Sequence, residues 1–307
     1  MTAIYWHDAA LNHVTPPGHP ERVARADVVR RRLLEEDFAD LYWFEAPVAD
    51  RAEVLRCHPE RYVEMIEGAI PSEGSVSLDA DTHVSPGSLE AAMRAVGGVA
   101  AAVDQVLGDG PDTAFVAMRP PGHHAEAETP MGFCLFGTAA IGVKRALDHH
   151  GLERVALLDF DVHHGNGSQA LLWDEARSLF ISSHQSPLWP GTGASSERGA
   201  HDNVMNLPLP PMTGGEAMRQ AWGDIALPAL DDFAPELIVI SAGFDAHQAD
   251  PLANLNWRTE DFAWLTEAIM EIARAHAKGR VVSTLEGGYD LDALADGVAA
   301  HVKGLMG

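Results

Sequence analysis

The sequence predicts a single α/β domain spanning residues 1–307, with a mostly parallel central sheet flanked by helices. Short apolar runs of strand length alternate with helix-length segments from end to end, the order that builds a parallel sheet with helical crossovers. No Pro/Ser/Gly-rich linker, composition shift, internal repeat or low-complexity tract divides the chain. The residues able to do chemistry fall just after the strand-like runs, and open parallel sheets place their sites beyond the carboxyl ends of their strands.

Ala3-Ile4-Tyr5-Trp6 reads as a first strand, followed by a Pro/Gly/His loop ending in His19-Pro20. Glu21 to Glu35 reads as a helix with Pro20 near its first turn. His58 to Gly68 is a short helix stopped by glycine, and Ser85-Pro86 opens a long Ala-rich helix to Leu107. Thr113 to Met118 is strand-like and leads into Arg119-Pro120-Pro121-Gly122-His123-His124-Ala125. Phe136 to His149 is a helix with Gly151 near its end. Val155-Ala156-Leu157-Leu158 is a buried strand, with a helix from Gly167 to Asp174 after it. Leu179 to Ser183 is another strand, and Gly215 to Phe233 a helix with a break at Pro228. Leu237-Ile238-Val239-Ile240 is a strand, Thr259 to Ala277 a helix and Val281 to Leu285 the last strand. Asp290 caps the final helix.

Lys and Arg number 21 against 45 Asp and Glu, a formal net charge of −24. The densest basic cluster, Arg30-Arg31-Arg32, is followed at once by Glu35, Glu36 and Asp37, so no basic patch offers itself to a nucleic acid. The negative field would favour cationic substrates over anionic ones, but simple solubility is the better explanation of it. Two cysteines, Cys57 and Cys134, cannot build a disulfide framework. No basic-plus-apolar N-terminal segment and no run of ~18 apolar residues occurs. The expectation is a cytoplasmic protein with reduced thiols and no direct nucleic-acid or membrane partner; a homo-oligomer is left open.

The densest chemistry lies in Leu158-Asp159-Phe160-Asp161-Val162-His163-His164-Gly165. Side chains two apart on a strand leave from one face, so Asp161 and His163 offer a carboxylate and an imidazole together. Asp245, after the Leu237–Ile240 run, offers a third ligand. Two Asp and one His suit zinc with a coordination position left open for catalysis, and would also hold iron(II) or cobalt. A capping Asp and a core His would give the same D-x-H spacing; the second acid after a matching strand favours the metal.

His123 and His124 follow a Pro-Pro-Gly turn, and one of them suits the general base that a metal-activated water needs. Asp159 and Asn166 flank the metal ligands and are placed to orient the two rings. A His partnered by Asn is less basic than one partnered by Asp. Tyr289 follows Gly287-Gly288, where small residues let substrate approach the backbone, and its phenol suits an oxyanion donor. Phe133, after Gly132, and Trp189 lie in Gly/Pro-rich loops and suit the walls of a narrow slot. His7, His19, His83, His201, His276 and His301 show no ligating spacing, and His149-His150 reads as a solvated pair.

Together RPPGHHA (119–125), MGFC (131–134), LDFDVHHGNG (158–167), PGTG (190–193), SAGFDAHQADPL (241–252) and EGGY (286–289) resemble the histone deacetylase family, in its class II and bacterial branch, which includes relatives of acetylpolyamine amidohydrolases. The likeness spans nearly the whole chain, and HPER (19–22) also fits. It implies the arginase/deacetylase fold with about eight strands, and a zinc-dependent hydrolase that removes acetyl groups from acetylated amines, with acetyl-lysine peptides the leading substrate. On that resemblance Asp161, His163 and Asp245 bind zinc, His124 is the general base with His123 as its companion, Asp159 and Asn166 support the two rings, and Tyr289 holds the oxyanion. Phe133, Trp189, Gly132 and Gly288 contact the acyl-lysine, and Asp159, Asp161, His163, Ser182 and Ser183 form a structural potassium site. Asn166 sides with class II, and Tyr289 in place of His argues for a competent enzyme. Gly137-Thr138 departs from the Asn-Asn often found there.

Three rival readings stand beside it. An acetylpolyamine amidohydrolase, or a hydrolase of small amides or esters, would share the chemistry; Asp79, Asp81, Glu126 and Glu128 are candidates for a carboxylate that selects a polyamine cation. A two-manganese ureohydrolase would need D-x-D where Asp245-Ala246-His247 stands. A silent acyl-lysine binder would not need the base or the phenol.

Overall fold

The computed structural model describes residues 1–307. Its strands in chain order are β1 (Thr2–Trp6), β2 (Tyr42–Glu45), β3 (Val76–Ser77), β4 (His83–Val84), β5 (Thr113–Val116), β6 (Val155–Asp159), β7 (Ser178–Gln185), β8 (Val204–Leu209), β9 (Leu237–Ala242) and β10 (Val281–Leu285). β3 and β4 form a small antiparallel ribbon, and the other eight make one sheet in the order β2-β1-β5-β10-β9-β6-β7-β8. Every neighbouring pair in that sheet is parallel. β5, β6, β9 and β10 are buried along their whole length, as strands covered on both faces must be, and this is why they read as apolar runs in the sequence.

The two strands of the main sheet that periodicity did not reveal are its edges. β2 is mostly exposed, and β8 carries Pro208, which an edge strand tolerates because one side has no ladder to complete. β2 is exposed, and Asn206 and Pro208 interrupt the apolar run of β8.

The helices stand close to their expected places, with ends trimmed by local bonding. The first runs Val23–Leu33 rather than from Glu21, whose side chain is drawn inward to Arg25 and Arg119. The Ala-rich helix begins at Ser88, because Ser88 Oγ accepts the Ser85 N–H (2.7 Å). Others span Glu60–Ala69, Thr138–Asp148, Asn166–Leu172 and Thr259–His276. The break expected at Pro228 lies one turn earlier: a π-turn, Trp222–Ala226, joins Gly215–Ala221 to Leu227–Phe233 and widens the helix where proline has no N–H to donate. Asp290 Oδ1 accepts the Ala293 N–H (2.9 Å) and caps Leu291–Met306.

The main apolar core extends along the sheet from Ala3 to Leu305, and a smaller one gathers Val54, Tyr62, Ile66 and Phe136. No helix is long and apolar enough to cross a membrane. The register pairs Val281 with both Thr113 and Ile238, and Asp159 with both Ser182 and Ser241, so the carboxyl ends of β5, β10, β9, β6 and β7 meet along one edge.

Candidate active site

Asp161, His163 and Asp245 converge beyond that edge, all buried, with donor atoms within 4.8 Å of one another. β6 ends at Asp159, so Asp161 and His163 share a face through a turn and not through strand pleating as the spacing predicts. Carboxylates build the turn: Asp159 Oδ1 accepts the Asp161 N–H (3.1 Å) and Asp161 Oδ1 accepts the His163 N–H (2.9 Å). Asp245 Oδ1 is held by the Val162 N–H (2.9 Å) and Asp161 Oδ2 by the Gly287 N–H (2.8 Å).

His163 Nδ1 lies 3.1 Å from Asp161 Oδ1 and 3.1 Å from Asp245 Oδ2. Burial alone would lower this imidazole, but the hydrogen bonds and charges of the two carboxylates push it up to about 10. The pocket therefore calls for positive charge between its acids. A Cβ at Gly243 would overlap Asp161 Oδ2, and one at Gly287 would overlap the Oδ2 atoms of Asp161 and Asp245, so glycine keeps the oxygens together. Two carboxylates and an imidazole, buried and converging, fit a divalent ion of zinc's type.

The loop after β5 brings in the two histidines. Arg119 anchors it, donating to Ala10 O (2.8 Å), His13 O (3.1 Å) and Glu21 Oε2 (2.5 Å). Glu286 Oε2 accepts the N–H groups of Gly122 (2.7 Å) and His123 (3.2 Å), and Glu286 Oε1 the Ser241 hydroxyl (3.1 Å). His123 Nδ1 meets Asp159 Oδ2 at 2.9 Å, and His124 Nδ1 meets Asn166 Oδ1 at 2.8 Å. Burial opposes charge on both rings. Asp159, Asp161 and Glu286 outweigh it at His123 and raise that imidazole well above its ordinary value. At His124 burial and the nearby His123 and His163 outweigh the support of Asp161 and Asn166 and hold it well below. Neighbouring rings thus have opposite charge preferences, the mark of an acid–base site.

Tyr289 follows Gly288, whose φ of +118 suits glycine. Its ring sits edge-on to Phe133 (5.9 Å) with the Arg25 guanidinium 4.9 Å from its centre, and burial pushes the phenol well above its ordinary value, so it stays a donor. The phenol, His124 and His163 share a cavity of about 340 Å³ with Phe133, Gly132 and Trp189. Trp189 stands edge-on to His124 (4.7 Å). Gly288 contributes backbone rather than cavity lining.

Ser182 and Ser183 lie on β7 beside Asp159, with their hydroxyls engaged by His184 Nδ1 (3.0 Å) and Trp222 Nε1 (3.1 Å). A potassium ion there would draw on Asp159 and on backbone oxygens. Sequence reasoning missed His19 and His83, which had no ligating spacing yet line the cavity with Asp81, Leu188 and Leu252. His19 accepts the Glu21 N–H at Nδ1 (3.1 Å) and donates from Nε2 to Asp81 O (2.9 Å), which ties the cavity rim to the first loop. HPER carried that signal. Of the four acids considered for cation selection, Asp81 alone reaches the cavity; Glu126 takes Asn166 Nδ2 (2.9 Å), Glu128 pairs with Arg61, and Asp79 accepts the N–H groups of Asp81 (3.0 Å) and Thr82 (2.6 Å).

A family model described as the histone deacetylase domain matches residues 19–305. The chain is 42% identical over 301 residues to a histone deacetylase-like amidohydrolase of Pseudomonas aeruginosa, covering 92% of this chain and 79% of the relative. It is 38% identical over 298 residues to a probable deacetylase of Archaeoglobus fulgidus, covering 95% and 82%. Among solved structures, the crystal structure of the HDA15 HD domain superimposes with a TM-score of 0.92 at 28% identity, covering 99% of this chain and 89% of that one.

Proposed function

The chain belongs to the histone deacetylase family, and on that premise we propose that it is a zinc-dependent deacetylase acting on Nε-acetyl-lysine in peptides or proteins. One observation carries the proposal: His163 of the buried Asp161/His163/Asp245 set, His124 bonded to Asn166, and Tyr289 line one cavity walled by Phe133 and Trp189. That cavity, about 340 Å³ with Phe133, Trp189, Leu188 and Leu252 on its walls, has room for an aliphatic side chain ending in an amide.

Zinc held by Asp161, His163 and Asp245 would supply Lewis acidity to the amide carbonyl and to water. His124, with Nδ1 bonded to Asn166 Oδ1, keeps Nε2 as its free nitrogen and takes the proton of the attacking water there. Tyr289 donates its phenolic hydrogen to the oxyanion. His123, paired with Asp159, stays protonated and stabilises the negative charge that develops. His124 then passes its proton to the departing amine nitrogen as the C–N bond breaks. Water is consumed; acetate and a primary amine leave.

A second reading, an acetylpolyamine amidohydrolase with the same chemistry, is favoured by Asp81 on the cavity wall. Turnover by zinc-loaded protein of an acetyl-lysine peptide, acetylspermidine, acetylputrescine and aryl acetamides separates the two. Peptide turnover abolished by His124→Ala and cut about 100- to 1000-fold by Tyr289→Phe establishes the first reading, and a preference for acetylpolyamines the second. No turnover of any substrate despite bound zinc sinks both.

A further inference from the structure

We infer that Asp250 is a positioning residue for Tyr289: its carboxylate and the Arg25 guanidinium clamp the two edges of one peptide plane and so aim the phenol. Tyr289 N–H and Gly288 C=O belong to the same peptide unit. The N–H donates to Asp250 Oδ2 (2.7 Å), and the carbonyl accepts from Arg25 Nε (2.6 Å). Arg25 Nη2 also holds Glu286 O (2.5 Å), further back along the same loop. Asp250 Oδ2 reaches on to the Asp290 N–H (3.4 Å), and Oδ1 accepts the Leu252 N–H (3.0 Å).

Asp250 is 7% exposed and forms no ion pair. Burying a carboxylate with only backbone partners is costly, and an apolar residue would avoid the cost. What the carboxylate adds is two acceptor atoms at once. One grips its own turn and the other grips the start of the Tyr289 segment, so the turn after β9 that carries Asp245 is locked to the turn after β10. The clamp is needed because Gly288 stands at a φ of +118, in a region glycine enters and leaves easily. Without it the peptide plane can rotate and swing the phenol out of line, while Asp161, His163 and Asp245 keep their own hydrogen bonds.

The role rests on the deacetylase reading for Tyr289, and its test is a double-mutant cycle on the zinc-loaded protein with an acetyl-lysine peptide. Asp250→Asn puts an N–H₂ against one of the two N–H sets and breaks one grip. The expected result is a fall in kcat of about 10- to 100-fold, the scale on which a misplacement of about 1 Å is felt. KM and bound zinc stay unchanged. Hydrogen exchange at the Tyr289 and Asp290 N–H groups speeds up. In a Tyr289→Phe background the same substitution costs less than about 2-fold, because the group it aims is gone. Asp250→Glu, which keeps both oxygens one methylene further out, is run through the same cycle in case the Asn variant does not fold. An equal loss in both backgrounds, a loss confined to KM, or a loss of zinc overturns the inference. Wild-type turnover reports separately on the deacetylase reading, and its absence removes the basis for a Tyr289 aim.

Discussion

His124 Nδ1 lies 2.8 Å from an amide oxygen, that of Asn166, whereas the adjacent His123 faces a carboxylate. The neutral partner leaves His124 without a charge to stabilise its imidazolium. Asn166→Asp supplies that charge and raises the His124 pKa. A base must be unprotonated to act, so the acid limb of the kcat/KM profile moves to higher pH. Asn166 Nδ2 also donates to Glu126 Oε1 (2.9 Å), so the new carboxylate opposes Glu126, and Glu126→Gln in the same chain should recover stability while keeping the shifted limb. A profile that does not move removes His124 from the base role.

Gly287→Ala should empty the metal site without touching a ligand. The new Cβ falls against the Oδ2 atoms of Asp161 and Asp245. Elemental analysis of dialysed protein should show about one zinc per wild-type chain, as expected of one closed ligand set, and far less in the variant. Zinc should also raise the wild-type melting temperature, since an ion at 100 times its Kd stabilises by about 2.7 kcal/mol. Full zinc occupancy in the variant would show that the ion sits elsewhere.

Glu21→Ala should destabilise the protein by about 3–5 kcal/mol, as removing one partner of a buried charge cluster does. Glu21 is fully buried and serves Arg25 Nη1 (2.9 Å) and Arg119 Nη2 (2.5 Å), with His13 Nε2 at 3.4 Å. Burial would raise its pKa, but Arg119, His13 and Arg25 together hold it well below the carboxylate range. Urea unfolding with an unchanged m-value is the measurement. A loss under about 1 kcal/mol, the surface-pair range, would mean the two arginines find other partners.

Acid should destabilise the fold through histidines that never touch substrate. Burial drives His301 down to about 3 and His58 to about 4, from 6.5. Thr266 donates to Phe262 O (2.8 Å), so His301 Nδ1 donates to Thr266 Oγ1 (2.7 Å), and Nε2 accepts from Ser283 (2.8 Å); the ring is bonded as a neutral tautomer. Both folded values are depressed, so the unfolded chain binds more protons below 6.5. Their contribution is full above that pH and falls as pH drops toward the folded values, by up to about 1.4 kcal/mol per unit for each group. The urea midpoint should decline from pH 7.5 to pH 5, with a shallower slope in His301→Gln. Equal slopes would clear His301.

Gly132→Ala should impair turnover and spare the metal. Gly132 has a φ of +55, and a Cβ there overlaps His124 Cδ2 and comes 2.6 Å from Trp189 Cη2. Displacing His124 by a fraction of an ångström to 1 Å predicts a 10- to 100-fold loss in kcat/KM, with about the same zinc content. Wild-type kinetics would mean that the cavity wall yields freely.

The central strands were legible because burial on both faces writes continuous apolar runs such as Leu237–Ile240. The edges β2 and β8 were not, since β2 is exposed and Asn206 and Pro208 break the apolar run of β8. Asp161, His163 and Asp245 could be named from their places after strands, and the structure brings them together, although by a turn and not by pleating. His19, Asp250 and Glu286 show why the remainder stayed hidden. Each works through hydrogen bonds to backbone far away in sequence, at Asp81, Tyr289 and Gly122, and backbone partners leave no trace in side-chain spacing.

The strand order has a consequence for synthesis. β10 is last in sequence among the sheet strands but lies inside the sheet, between β5 and β9. As the chain leaves the ribosome, β2-β1-β5 and β9-β6-β7-β8 can form only as two separate half-sheets, each with an unsatisfied inner edge. The final strand is the keystone that joins them, and it brings Tyr289 with it. Tyr289 thus arrives last, and a nascent chain stalled before residue 281 has neither a continuous sheet nor a complete cavity.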